Sequence, residues 1–457
     1  MYLNKKFGAL AVAALLTPAL TAGAEVNAAD YGAQGDGASV DTVAIQKAID
    51  AAATARATVV FKPGIYLSGA LFLKSGMELR VDRDVTILGV PDTAAYPEKP
   101  TRVAGLEMAW PSALINVYEE SNVRITGTGT IDGNGAYWWD RYWRLRKEYE
   151  PKGLRWAADY DAKRVSLIQI YKSSHVVLSG LTLERSGFRT VHLCYSHDLT
   201  VDGITIRNNI LGRGPSTDGI DVDSSSHVLI QNCDISCNDD AICMKAGRDA
   251  DGLRVNRPTE NVESRDCTVR DGAAGFTIGS ETSGGIHDVN VSGLHVLGPV
   301  PNGILIKSAK TRGGTVERIN LHNVALENVA VALNVGLNWN PSYSYARIPA
   351  GTSNIPDSWR RLAEPVAPDK GRPHVRHVEI SNLNATGARQ AFEVNGYSSD
   401  PLQDFSFDNI SIDAKTGGTI ADVENWSFSH TLIKTLNGTP VSLNDAKSVA
   451  GLTGVGR

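Results

Sequence analysis

The sequence has little cysteine, no cluster of basic residues and few of the short turn signals that join antiparallel strands. The formal net charge is −5 without any run of Lys or Arg, which argues against a nucleic-acid partner. The spacing of Cys and His does not resemble a zinc site, and the scarcity of hairpin turns disfavours a propeller or a sandwich. A disordered chain is excluded, because 42% hydrophobic and 21% charged residues are ordinary for a globular protein. We expect neither a metal nor a cofactor.

The five cysteines are an odd set that is concentrated in one region of repeats. Cys233 and Cys267 hold the same place in that repeat, within QNCDI and RDCTV. Free cysteine is among the most buried residue types, so we interpret the cysteines as small buried apolar residues rather than as a disulfide.

Residues 1–24 have the residue order of a secretory signal. Lys5 and Lys6 precede an apolar run of about 13 residues, and Ala22-Gly23-Ala24 follows it. This run is shorter than the ~20 residues that cross a bilayer, which disfavours a membrane anchor. We therefore predict cleavage after Ala24, and one catalytic domain over residues 25–457 that is secreted or periplasmic, monomeric and not bound to a membrane.

One five-residue pattern recurs four times, with a small residue in second place and apolar residues in third and fifth place. Its copies are DGIDV at 218–222, DAICM at 240–244, AGFTI at 274–278 and NGILI at 302–306. Alternate residues of a strand face opposite sides, so the third and fifth positions predict an inward apolar column. Related segments with the alternating apolar pattern of a strand recur at intervals of roughly 22 to 34 residues from about residue 121 onward. The sequence therefore predicts an all-β fold, a single-stranded right-handed parallel β-helix.

A helix is predicted near the start of this solenoid. Apolar Ile45, Ala48, Ile49 and Ala52 fall on one helical face, and Asp41 is the expected N-cap. Because the end of a solenoid core must be covered, we expect this helix to cap the first coil.

Three histidines, His175, His197 and His227, stand at one repeat position at strand starts. We interpret them as turn-capping residues rather than metal ligands. Two aromatic-rich stretches, at about 136–164 and 337–365, interrupt the repeat and are predicted to be long loops. Their rings either stack on sugars or fold back onto the coil, and their bulk suits an end-blocked, exo-acting cleft.

The densest acidic cluster is Asp218, Asp239 and Asp240. Asp218 and Asp240 are predicted to stack one coil apart, and a turn or bulge is predicted at Asp239 because neighbours in a strand cannot face the same way. Carboxylates this close raise one another's pKa, and acid/base cleavage of a glycosidic bond needs one protonated and one ionised carboxyl. On spacing alone, the alternative is an aspartate ladder that caps turns or holds Ca²⁺.

The same pattern predicts two outward columns beside these acids. The first column is Asp221, Cys243, Thr277 and Leu305, and the second is Asp223, Lys245, Gly279 and Lys307.

Four ordered motifs resemble the signature of glycoside hydrolase family 28, the polygalacturonases: TDGID at 217–221, NDDAICMKAG at 238–247, GFTIGS at 275–280 and GILIKS at 303–308. The opening DYGAQGDG is similar to the start of pectin-degrading β-helix enzymes, and the resemblance covers about residues 28–430. It implies that Asp239 is the general acid, and that Asp218 and Asp240 hold the attacking water in an inverting reaction without a metal. Lys307 matches the family's lysine that pairs with a galacturonate carboxylate. The implied partner is a pectic polysaccharide or oligosaccharide.

The chain departs from that signature at three positions. Ala274 stands where polygalacturonases usually carry His, Leu305 where they carry Arg, and Ser216 where they carry Asn. With a carboxylate-binding cation missing, a mixed rhamnose and galacturonate backbone becomes a strong contender for the substrate. Candidate replacement cations are Lys245, Arg248, Arg254 and Arg312, and the predicted substrate-binding set is Lys307, Lys245, Asp221, Arg312 and Glu281.

Two other functions stay open at this point. A Ca²⁺-dependent pectin lyase on the same fold would use the aspartates as a cation site and form an unsaturated product. A non-catalytic carbohydrate-binding β-helix would bind sugar without turnover. The three ordered acidic motifs favour the hydrolase.

Overall fold

The computed structural model describes residues 24–452, so the predicted signal lies outside the described residues except for Ala24. The chain is a right-handed parallel β-helix whose coils each contribute short strands to three faces. The face that carries the acidic cluster is called the floor sheet. Its strands are Leu71–Leu73, Ile115–Tyr118, Ile168–Tyr171, Val191–Cys194, Ile220–Asp223, Asp240–Lys245, Ala274–Ile278, Asn302–Lys307 and Val331–Gly336.

The other two faces repeat the same parallel stacking. The second face consists of Glu25–Asn27, Thr58–Val60, Glu78–Val81, Ser121–Gly127, Ser174–Ser179, His197–Asp202, Ser226–Gln231, Thr259–Arg265 and Ile286–Ser292. The third face consists of Asp36–Val40, Gly64–Ser68, Val85–Gly89, Thr130–Asp132, Thr182–Glu184, Thr205–Arg207, Asp234–Ser236, Thr268–Asp271 and His295–Leu297. Toward the C-terminus longer strands cross the corners between faces: Thr315–Glu327, His374–Asn395, Leu402–Glu424 and Ser427–Thr435. The short strand Ser442–Lys447 pairs with the end of Leu402–Glu424.

The register of the floor sheet confirms the predicted inward column and the first of the two outward columns. Ile220 pairs with Ile242, Ile242 with Phe276, and Phe276 with Ile304. All four side chains are buried in one continuous core that runs the length of the coil. One residue further along, Asp221, Cys243, Thr277 and Leu305 are in register on the opposite side of the strands.

The predicted capping helix is Thr42–Ala55, and it buries Ile45, Ala48, Ile49 and Ala52. Asp41 is at its N-cap but makes no side-chain cap bond. Its carboxylate instead accepts hydrogen bonds from the backbone N–H groups of Gln34 and Gly35, at 2.8 and 3.0 Å. Asp41 therefore fixes the preceding loop rather than the first turn of the helix.

The predicted histidine column is wrong by one residue. Ser174 pairs with His197, and His197 pairs with Ser226, so Asp198 aligns with His175 and His227. His175, Asp198 and His227 have φ of 54°, 56° and 52°, a left-handed conformation in which Asn, Asp and His are enriched. The column is a corner of the coil, which supports the structural interpretation of these histidines.

Three insertions leave the coil and pack beside the floor sheet. The first is an antiparallel hairpin of Glu98–Val103 and Leu106–Pro111, which the sequence analysis missed. The second, residues 136–164, is largely helical rather than a loop, with Ala136–Tyr149 and Ala158–Asp161. The third, residues 337–365, contains Pro341–Ser344 and Asp357–Leu362; the remaining helices are Asp249–Val255 and Pro368–Gly371.

The insertions share a second hydrophobic core, separate from that of the coil. It joins Trp110 of the hairpin, Trp156 of the helical insertion and Trp359 of the third insertion. The rings of Trp156 and Trp359 meet edge to face, with centroids 5.1 Å apart. Most of the aromatic residues thus fold back into a wall, which is one of the two predicted alternatives.

The cysteines are buried and free, as predicted. Among residues 24–452, no helix is both long and apolar enough to cross a membrane.

Candidate active site

The floor sheet brings Asp218, Asp239 and Asp240 together, with carboxylate oxygens within 4.8 Å of one another. Asp218 and Asp240 belong to adjacent coils, because the N–H of Gly219 bonds the carbonyl of Asp240 at 2.9 Å. Asp239 precedes the strand Asp240–Lys245, and its carboxylate accepts the N–H of Asp240 at 3.0 Å. This local turn lets two consecutive aspartates face the same cavity.

Cations surround the three aspartates. The ammonium of Lys245 lies 3.2 Å from Asp218, and the ammonium of Lys307 lies 2.8 Å from Asp240. Arg189 reaches Asp218 at 3.5 Å. Buried carboxylates need such counter-charges to stay ionised.

The surroundings shift the pKa values of Asp239 and Asp218 in opposite directions. Burial, together with the nearby Asp218 and Asp240, raises the pKa of Asp239 to about 7. Burial alone would raise the pKa of Asp218 too, but Lys245 and Arg189 hold it well below its usual range. Asp239 also keeps part of its surface exposed, whereas Asp218 and Asp240 are buried. The site therefore offers a protonated, accessible carboxyl beside an ionised one near neutral pH.

Asp221 lies beneath this cluster and does not line the cavity. It pairs with Arg189 and lies 3.5 Å from Lys245. Burial, with Asp218 close by, raises the pKa of Asp221 to about 8. Asp221 thus supports Arg189 and Lys245 rather than contacting a ligand itself.

The insertions wall the cavity. Ala104 comes from the hairpin, Arg155 and Asp159 from the helical insertion, and Trp339 and Tyr343 from the third insertion. The hairpin lies along the floor sheet on the N-terminal side of the acids. Its Arg102 donates to Asp223 at 2.8 Å and stacks on Tyr195, with its guanidinium carbon 4.5 Å from the ring centroid. An extended chain cannot occupy that part of the face, because the hairpin fills it.

The hairpin tip reaches the catalytic coils through Gly105. The carbonyl of Gly105 accepts the N–H of Arg248 at 3.1 Å. Gly105 has φ of +86°, and a Cβ there would lie 2.7 Å from Glu281 and 2.8 Å from the backbone of Arg248. Only glycine fits this approach.

Glu281 and Lys307, two members of the predicted substrate-binding set, line the cavity. Glu281 lies 3.7 Å from Lys245, and its carboxylate accepts the hydroxyl of Tyr343 at 3.3 Å. The ammonium of Lys307 lies 4.4 Å from the ring centroid of Trp339, an arrangement that favours the cation.

Three of the cations proposed from the sequence do not line the cavity. Arg312 is fully buried and pairs with Asp249, so the structure does not support substrate contact by Arg312. Arg248 is also buried and donates to Tyr160 at 2.7 Å and to the carbonyl of Ser344 at 3.1 Å. Both hold the wall in place.

The third of these cations, Arg254, is exposed outside the cavity. It bridges Glu107 and Asp251 at 2.5 and 2.8 Å.

Two of the cations that line the cavity, Arg155 and Arg189, were not predicted from the sequence. Arg189 lies two residues before the strand Val191–Cys194, which is the place that Asp218 holds before Ile220–Asp223 on the next coil, so the repeat position of Arg189 indicates that it lies beside the acids. Arg155 gives no such signal, because its position depends on how the helical insertion folds.

The three departures from the motif are all at or below the floor. Ala274 pairs with Asp240 and is buried, and Leu305 is buried in its column. Ser216 lines the cavity, and its hydroxyl donates to Asp159 at 3.2 Å. The floor thus has no cation at position 305.

A larger groove of about 770 Å³ lies elsewhere, between Pro299, Asn328, Arg389 and Leu436. It contains one carboxylate, Asp413, and no acid cluster. Catalysis of the kind described above needs paired carboxyls, so the walled cavity is the candidate active site.

Comparison with known proteins agrees with this geometry. The family described as glycosyl hydrolases family 28 matches residues 68–344, and the one described as rhamnogalacturonase A/epimerase, pectate lyase-like, matches residues 25–82. A probable polygalacturonase of Vitis vinifera is 28% identical over 414 residues, covering 87% of this chain and 77% of that protein. An exo-poly-alpha-D-galacturonosidase of Dickeya chrysanthemi is 25% identical over 450 residues, covering 89% and 70%.

Among solved structures, a hyperthermoactive exopolygalacturonase from Thermotoga maritima superposes with a TM-score of 0.71. The two are 26% identical, and the match covers 93% of this chain and 91% of that one. The family match spans more than half of the sequence and includes all three clustered aspartates. The chain therefore belongs to family 28 of the glycosyl hydrolases and is a glycoside hydrolase.

Proposed function

We propose that this enzyme hydrolyses the glycosidic bonds of galacturonate residues at the ends of pectic chains. The observation that carries the proposal is Asp239, a partly exposed carboxyl with its pKa raised to about 7 beside two buried aspartates. A protonated carboxyl can donate to the leaving oxygen while an ionised partner activates water. The named relatives, which are polygalacturonases and exo-acting galacturonosidases, support this substrate class.

In this mechanism Asp239 is the general acid, and Asp218 and Asp240 hold the attacking water. Asp240 is fixed by Lys307 at 2.8 Å and by the hydroxyl of Thr277 at 3.0 Å. The lowered pKa of Asp218 keeps its carboxylate ionised, as a group that accepts a proton from the attacking water must be. The oxygen separation of at most 4.8 Å is nearer to the ~5–5.5 Å typical of a retaining pair than to the ~6.5–9.5 Å typical of an inverting pair, so product stereochemistry is the relevant test.

Exo action is proposed from the shape of the cavity. The hairpin covers the floor sheet on one side of the acids, and the other two insertions close over them. Such a pocket admits the end of a chain rather than its middle. Polygalacturonate digested to low extent should release only mono- or short oligosaccharides while the polymer stays long; early production of a broad ladder of fragments would contradict exo action.

A lyase is disfavoured by the charges around the aspartates. Lys245 and Lys307 already neutralise the positions that a Ca²⁺ ion would occupy between Asp218 and Asp240. Hydrolysis predicts new reducing ends without an ultraviolet-absorbing product, and activity that survives a chelator.

A mixed rhamnose and galacturonate backbone is the second candidate substrate, and the buried Leu305 favours it. On that basis rhamnogalacturonan oligosaccharides would have a higher kcat/KM than polygalacturonate oligosaccharides of equal length. Measuring both with one enzyme preparation decides the order, and a polygalacturonate rate that is equal or higher would require another cation to replace the missing one.

We also propose export through residues 1–24 and action as a monomer. N-terminal sequencing of the exported protein should begin at Glu25, and its mass in solution should be that of one chain. Retention of residues 1–24, or a stable dimer, would contradict these two points.

A further inference from the structure

The floor of the cavity has no spare positive charge. Lys245 is shared among Asp218, Asp221, Glu281 and Asp240, at 3.2, 3.5, 3.7 and 3.9 Å. Lys307 is committed to Asp240. A carboxylate on the substrate would therefore compete with carboxylates of the enzyme for either ammonium.

Arg189 is in the same situation. It pairs with Asp221 and lies 3.5 Å from Asp218, so two carboxylates face one guanidinium. Its Nε has no hydrogen-bond partner within the described chain, but its positive charge is already shared with the ionised Asp218. The floor thus cannot supply the cation that is missing at Leu305.

The wall, in contrast, carries more positive than negative charge at Asp159. Asp159 is shared by Arg155 and Arg164, each at 2.7 Å. One carboxylate against two guanidiniums leaves a net positive charge. Arg164 is fully buried and also donates to the carbonyl of Pro215, whereas Arg155 lines the cavity.

Arg155 has donors to spare. Its Nη1 donates a hydrogen bond to Asp159, while its Nε is buried and has no hydrogen-bond partner among residues 24–452. Its guanidinium lies over the ring of Tyr343, 5.1 Å from the centroid, which fixes the plane of the group. A guanidinium presents five N–H donors in a fork that matches a carboxylate.

We propose that Arg155 binds the carboxylate of a uronic acid residue in the cavity and so selects the acid over its ester or a neutral sugar. This inference rests on the proposed function, because it requires a galacturonate-containing substrate. Arg155, in the helical insertion, would then provide the carboxylate recognition that the floor lacks at Leu305. An enzyme with this contact would favour the ends of polygalacturonate over chains that end in a neutral sugar.

The test compares digalacturonate with its methyl ester in Arg155→Gln and the parent enzyme. Binding is measured by calorimetry in an Asp239→Asn background, and kcat/KM is measured with Asp239 intact. The parent should prefer the acid by about ten- to a hundredfold, the range of a charge-assisted hydrogen bond. Arg155→Gln should lower affinity and kcat/KM for the acid alone, and Arg155→Lys should recover part of the preference because it keeps the charge.

Lys152→Gln is the matched control, since Lys152 is an exposed cation of the same insertion that pairs with Glu148 and does not line the cavity. It should keep the parent preference. If Arg155→Gln lowers acid and ester equally, Arg155 is only structural, and if the preference survives, Lys307 or Lys245 is the recognition cation; either result overturns the proposal.

The two proposals fail in different ways. Acid-selective binding that depends on Arg155, without any hydrolysis by the parent, would sink the proposed function and leave Arg155 as a recognition residue. Hydrolysis by the parent with a preference for acid over ester that Arg155→Gln leaves unchanged would support the proposed function and exclude Arg155 as the recognition residue.

Discussion

The floor and the wall of the cavity are built by different means. The floor is a repeat, in which Asp218 and Asp240 stand one coil apart and the inward column Ile220, Ile242 and Phe276 holds them in register. The wall consists of three insertions distant in sequence that meet through Trp110, Trp156 and Trp359. In the proposed mechanism the floor sheet holds the reacting carboxyl groups rigidly, and the wall determines which part of a substrate reaches them.

The largest effect is expected from a substitution in the inward apolar column beneath the floor sheet. Ile242→Asp places a carboxylate in a fully buried position, which should cost several kcal/mol and unfold the coil. Urea unfolding followed by circular dichroism measures this, with Ile242→Val as a control that should cost only about 0.5–1.5 kcal/mol. A soluble Ile242→Asp protein with a cooperative transition near that of the parent would count against the inward column.

The next change removes chemistry and leaves the fold. Asp239→Asn deletes the proton donor, so kcat should fall by about 10²- to 10⁴-fold while the melting temperature stays close to that of the parent. Asp413→Asn, in the distant groove, is the control and should retain full activity. Turnover of Asp239→Asn within a few fold of the parent would remove Asp239 from the role of acid.

A smaller effect is expected from the wall. Gly105→Ala forces the hairpin tip away from Glu281 and Arg248, so kcat/KM should fall roughly tenfold and longer products should appear, since a displacement near the substrate weakens positioning.

Gly153→Ala is matched to this change, because Gly153 has φ of +70° with nothing within 4 Å of a Cβ. It incurs a similar backbone strain without the collision and should leave the products unchanged. If the two variants behave alike, the hairpin tip does not shape the cavity.

The mildest perturbation is pH. Asp239 must be protonated to act, and its pKa is raised to about 7, so activity should be present below pH 7 and fall by about tenfold per pH unit above it. Asp218 has a lowered pKa and stays ionised across this range. A rate that rises with pH between 6 and 8 would contradict the assignment of acid and base.

The floor could be predicted from sequence, because its strands repeat one pattern and the register follows from a period of two. The pattern predicts that Asp218, Asp240 and Lys307 lie on neighbouring coils of one face, as they do. Only the orientation of Asp239 depends on the local turn before the strand. The histidine column is displaced by one residue at His197, because SHDLTVD opens on Ser-His like its neighbours SHVVLSG and SHVLIQN but pairs with them one residue later.

The wall could not be predicted in the same way. Its hairpin turns at Ala104-Gly105, both with positive φ, without the Asn-Gly or Asp-Gly pair that signals such a turn. The sequence does not show that Arg312 is held by Asp249, because the two residues are 63 positions apart. Arg155 was missed because its position depends on the packing of Trp156 against Trp359.

The most direct test of the account is the anomeric form of the first product. Proton NMR during early hydrolysis of an α-linked galacturonate oligosaccharide observes the new reducing end before it mutarotates. Direct attack by water held at Asp218 and Asp240, with Asp239 as acid, predicts the β anomer of a short end product. An initial α anomer would mean that one of these carboxylates forms a covalent intermediate, and would contradict the roles assigned to the floor.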